Sequence, residues 1–122
     1  MLDQDVESAT AALNSVGKVQ NKELRLTLDD ISTICEMGRY YADKIRGATY
    51  VALARRSKLQ ADKDQAIEAL TKAAEHYQNY VSLITNHHVN QIWFNRVGIL
   101  NFKNQIADAL ADIEIARKIE VQ

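Results

Sequence analysis

Between Leu24 and Ala52, apolar and small residues recur at steps of four and three without a slip: Leu24, Leu28, Ile31, Cys35, Gly38, Ala42, Ile45, Thr49 and Ala52. Only a helix keeps such residues on one narrow stripe, because a strand would scatter them over both of its faces. A repeat near 3.5 residues also holds the stripe against a partner helix along its whole length and favours shallow, left-handed crossings. The spacing predicts a helix that starts at Asn21, whose side chain can cap it with Glu23 in the first turn, and runs to about Leu59. No proline occurs in the 122 residues, so nothing in the chain forces this helix, or any other, to break in mid-run.

The rest of the chain has the same character. Ile67, Leu70, Ala74, Tyr77, Val81 and Ile84 mark a third helix after Asp62, with Asp62 as cap and Gln65 reaching back to it. Before the long helix, Val6, Ala9, Leu13 and Val16 mark a shorter one that Gly17 ends; near the C-terminus, Asn101 caps a last helix carrying Phe102, Ile106, Ala109, Ile113 and Ala116. The segment DQAIEALTKAAEHYQNY has the alanine and aromatic spacing of a tetratricopeptide second helix. No second copy follows at a distance of about 34 residues, which excludes a repeat array. The fold expected is all-α: an antiparallel up-and-down four-helix bundle over residues 1–122, with a long second helix and a structured loop before the last.

Charge and cysteine content narrow the function. Fifteen basic residues against sixteen acidic ones leave no basic field to hold phosphates, so neither a nucleic acid nor an anionic membrane is an expected partner. The one cysteine, Cys35, falls on the apolar stripe and reads as a small buried hydrophobe. The first twenty residues lack the basic start and apolar run of a signal peptide, and no stretch approaches a membrane span, so a soluble chain is expected, either complete or a piece of a longer protein. There is no Gly-rich phosphate loop, nucleophile elbow or carboxylate pair in an apolar setting, and the expectation is no catalytic residue and no cofactor.

Two regions are candidates for recognition. On the long helix, Glu36, Arg39, Tyr40, Asp43, Gly47 and Tyr50 gather on a face turned away from most of the stripe. That face reads either as a solvated ladder of ion pairs or as a docking surface, since two tyrosines flanking a helical glycine suggest that something packs closely there. If the stripe is the internal seam, Gly38→Leu or Ala42→Leu overpacks it by roughly 1 to 3 kcal/mol, whereas Tyr40→Ala stays within about 1 kcal/mol.

The second region is HHVNQIWFNRVGIL, residues 87–100, too long and too apolar for an ordinary connection between bundle helices. Either it folds over one end of the bundle as core, or Trp93 offers an apolar plate flanked by the hydrogen-bonding groups of Asn95 and Arg96 to a sugar or a neighbouring domain. His87 and His88 do not make a metal site by themselves, because adjacent side chains diverge and no third ligand stands at helical spacing.

The strings GRYYADKIRGA on the second helix and FNRVGILNFKNQIADALADIEIAR, from the loop through the last helix, resemble the helical C-terminal region of large secreted bacterial polysaccharide-degrading proteins. These are of the α-glucuronidase-like glycoside hydrolase kind common in gut Bacteroides. The resemblance implies a non-catalytic accessory domain, secreted or periplasmic, whose parent enzyme carries the catalytic carboxylates elsewhere. Its partner would be a neighbouring domain of that parent or a glycan. A carbohydrate-binding module built on the 87–100 loop and a stand-alone homo-oligomeric bundle are the alternatives.

Overall fold

The structure is a computed structural model describing residues 2–17, 21–85 and 103–122 in full, and the backbone of 91–93 and 98–100. In these segments lie α1 (Leu2–Val16), α2 (Lys22–Ser57), α3 (Gln60–Thr85), β1 (Gln91–Trp93), β2 (Gly98–Leu100) and α4 (Gln105–Arg117). The four helices make up an all-α fold, and the loop before α4 contains a short antiparallel hairpin pairing Gln91 with Leu100, Ile92 with Ile99 and Trp93 with Gly98.

The helix ends follow local chemistry. Gly17 stops α1 with φ +72°, a conformation open to glycine at little cost. The Asn21 side chain accepts the Leu24 N–H at 3.0 Å and starts α2, as its sequence position predicts. At the other end Lys58 adopts φ 59° and donates its N–H to the Ala54 carbonyl at 2.9 Å, while Arg55 and Arg56 meet the negative end of the helix dipole. This left-handed residue reverses the chain at once, so α3 begins at Gln60, earlier than the Asp62 cap expected from sequence. Asp62 instead accepts the Ser57 hydroxyl and ties the two helices across the turn. α4 begins at Gln105, later than expected; Asn104 stands at its N-cap position, and residues 101–102 lie outside those described.

Consecutive helices run antiparallel, with α2 and α3 as the central pair. Arg39 of α2 reaches Thr10, and Arg46, farther along α2, reaches Asp3 at the opposite end of α1. Tyr77 of α3 donates to Gln105 at the start of α4, and Lys63 to the Ile119 carbonyl just past its end. On α2, Arg46 pairs with Asp3 of α1 and Lys44 with Asp112 of α4. Two residues turn a helix by about 200°, so α1 and α4 lie on opposite flanks of α2.

The core lies where α2, α3 and α4 meet. It holds Tyr40, Ala66, Leu70, Ala73, Ala74, Tyr77, Val81, Ala109, Ile113 and Ala116. Alanines bring the helix backbones close, and the tyrosine rings fill what they leave: Tyr40 and Tyr77 stand 5.0 Å apart between centroids.

This core overturns the rotation expected for α2. Tyr40 (8% exposed), Asp43 (7%) and Gly47 face inward, whereas Ile45 is 63% exposed and Thr49 and Ala52 face solvent. Of the heptad positions, Cys35 is buried and Gly38 is covered by α1, where a Cβ would lie 2.7 Å from Val6 Cγ2. The reason is geometric. α1 begins opposite Arg46, so it has nothing to lay over Thr49 and Ala52, and α3 takes the line on α2 where Gly47 permits close approach. A Cβ at Gly47 would lie 2.5 Å from Leu70 Cδ2. The neighbour that packs against this glycine is α3 itself.

Candidate functional site

The α2 candidates Arg39, Tyr40, Asp43 and Tyr50 are all used within the fold. Glu36 and Asp43, seven residues apart, stack on one face of α2, and His76 of α3 lies across them. Its Nδ1 is 2.9 Å from Glu36 Oε2 and its Nε2 3.5 Å from Asp43 Oδ2. The remaining oxygens are also engaged. Glu36 Oε1 accepts from Arg39 at 3.0 Å, Asp43 Oδ1 accepts from Arg46, and the two guanidinium groups continue to Thr10 and Asp3 of α1 at 2.7 Å each.

Arg39 and Asp43 therefore belong to an alternating network joining α1, α2 and α3, not to a solvated ladder. An open pocket of about 350 Å³ at its edge is lined by Asp3, Glu7, Arg39, Asp43, Arg46 and His76. Its charges already face one another across the helices, and what the arrangement does is fix α1 in place. Among the described residues no group of three or more His, Cys, Asp or Glu side chains could hold a metal ion.

Tyr40 is a core residue. Its ring contacts Tyr41 and Tyr77, and its hydroxyl accepts from Lys44 Nζ at 3.0 Å. That hydrogen bond raises the Lys44 pKa, with the Tyr40 and Asp112 charges adding and burial opposing. Tyr50 is partly buried and packs against the same cluster. Trp93 lies in β1, opposite Gly98; its side chain, with Asn95, Arg96, His87 and His88, lies outside the described residues, and so does the proposed sugar plate.

Burial pushes the Tyr77 phenol up to about 12, with Tyr80, Tyr40, Tyr41 and Asp108 adding to the effect. The neutral phenol is thus favoured in the folded state. Its contribution to stability is complete below the unfolded-state value near 10 and is lost as pH rises through about 12. Urea unfolding at pH 9 and pH 11.5 should show a loss on the order of 2 kcal/mol from this group, which Tyr77→Phe removes. An equal alkaline loss in Tyr77→Phe would assign it to other groups.

The surface feature that sequence reading missed lies on the opposite side of α2. Ile34 (69% exposed), Tyr41 (50%) and Ile45, followed by exposed Ala48 and Ala52, form a second heptad line that no helix among the described residues covers. It runs about 27 Å along the helix. Beside it, a groove of about 350 Å³ opens between α2 and α4, bordered by Ala48, Ala52 and Ile115 with Val51 and Leu70 beneath. Lys44 and Asp112, 3.4 Å apart, bridge it at one point, and Arg55 stands toward the α2–α3 turn.

The signal was present in the sequence, because this line and the predicted seam share Ile45 and Ala52. Two overlapping heptad lines on one helix mean more than one apolar face, and each needs its own cover. No helix among the described residues is long and apolar enough to cross a membrane. No protein-family model matches this chain, and no curated protein or solved structure does either.

Proposed function

We propose that the chain is a non-catalytic helical interaction domain whose docking surface is the exposed line on α2 with the groove beside it. The observation that carries this reading is the exposure of Ile34 and Ile45 on the longest helix of the fold, in heptad register with Tyr41, Ala48 and Ala52. Single exposed hydrophobes are ordinary, but a contiguous apolar line beside an open groove is the pattern of an interaction surface. Burying one isoleucine against a partner is worth roughly 1.5 to 3 kcal/mol, so this line can supply substantial docking energy.

The likeness of residues 38–48 and 94–117 to the helical end of secreted polysaccharide-degrading proteins supports a place as an accessory domain in such a parent. There the surface would serve assembly, and the glycan chemistry would belong to other domains.

Ile45→Glu tests the reading. Because the side chain stands in solvent, unfolding free energy should change by no more than about 0.5 kcal/mol, while binding of an apolar dye such as anilinonaphthalene sulfonate to the native protein should fall. An Ile45→Glu protein that no longer folds would make the line structural and remove the proposal.

A further inference from the structure

We infer that the occupant of this surface is a second copy of the chain, paired α2 against α2 in antiparallel across a two-fold axis that crosses the exposed line midway between Tyr41 and Ile45. The inference rests on the docking surface proposed above and adds its partner. A two-fold interface must be self-complementary, so that whatever residue i meets, that residue also meets i. The exposed line satisfies this when its centre is placed on the axis. Tyr41 then faces the partner's Ile45, and Ile34 faces the partner's Ala52. The first contact sets an aromatic ring against a branched chain and the second a large side chain against a small one, combinations that interdigitate well.

The groove fits the same register. Ala48 and Ala52 border it, and the antiparallel pairing carries Ile34 of each copy to the mouth of the other's groove. Because α1 and α4 flank α2 on opposite sides, they leave between them an open sector in which the second α2 lies.

Charge decides the direction of the pairing. The N-terminal part of α2 carries Asp30 on this side, which the register sets opposite the partner's Arg56, with Arg55 next to it. A parallel pair would set like charges together; the antiparallel pair brings the acidic end of each helix alongside the partner's basic end. A net charge of -1 per chain leaves little overall repulsion between copies.

Sedimentation equilibrium on the full chain, from micromolar to near-millimolar concentration, tests the inference. The mass should rise with concentration from 13.8 kDa toward twice that value. Ile34→Glu and Ile45→Glu should each remain at 13.8 kDa with unchanged helical circular dichroism. Replacing Arg55 and Arg56 together with glutamate should weaken association roughly tenfold at low salt and less at high salt.

A wild-type chain that stays at the monomer mass throughout would overturn the second-copy inference. If Ile45→Glu folds normally in that case, the docking surface stands with a different occupant; if it unfolds, the docking surface falls as well. A dimer unaffected by Ile34→Glu and Ile45→Glu pairs through another face, and that result also overturns the inference.

Discussion

Tyr40→Ala is expected to lower the unfolding free energy by roughly 3 to 5 kcal/mol, the range for truncating a large buried aromatic. The ring is 8% exposed and lies between Tyr41 and Tyr77, with centroids 5.1 and 5.0 Å away. Removing it opens a cavity among alanines on α3 and α4 that cannot reach in to fill the space, and it takes the hydroxyl that Lys44 donates to at 3.0 Å. Tyr40→Phe separates the two contributions, since it keeps the packing and loses only the hydrogen bond, at a cost of about 1 kcal/mol. Urea titrations of the three proteins measure both. A loss below about 1 kcal/mol for Tyr40→Ala would restore the face assignment predicted from the heptad alone.

The second large effect belongs to Gly47. An added Cβ would lie 2.5 Å from Leu70 Cδ2 and 2.6 Å from Cγ, with the Leu70 backbone nitrogen at 3.4 Å. Cγ is not the free end of a flexible chain, so Leu70 must leave its rotamer or α2 and α3 must separate. Gly47→Ala should therefore destabilise by roughly 1 to 3 kcal/mol, even though alanine gains about 1 kcal/mol in helix propensity. Leu70→Ala removes the obstacle. The double variant should then be less destabilised than the sum of the single ones by about 1 kcal/mol or more, a coupling expected only of residues in contact. Additive losses in this cycle would show that Gly47 matters for some reason other than Leu70.

The sequence made the helices legible and the candidate site much less so. Asn21 and Gly17 act through groups a few residues away, so their caps could be read from local order. His76 could not be placed by such reading, since its partners Glu36 and Asp43 lie 40 and 33 residues earlier on another helix. Tyr40 was misread because a tyrosine has an apolar ring and a polar tip and suits core or surface equally well. Once the ring is buried, its hydroxyl is satisfied by Lys44, four residues on in the same helix.

What the sequence by itself determined was the all-α character, the length of α2, its capped start and the antiparallel order of the helices. These depend on periodicity and on interactions within a few turns. Only the tertiary structure decided which way α2 is rotated and which of its two overlapping heptad lines is covered. A repeat states that residues share a face, but it does not state which face receives a neighbour. That choice followed from where α1 begins relative to Arg46, from the close approach of Leu70 at Gly47, and from α4 lying on the flank opposite α1. The described helices cover the Tyr40, Asp43 and Gly47 face of α2 and, through α1, Gly38, and Ile34, Tyr41 and Ile45 were left facing outward.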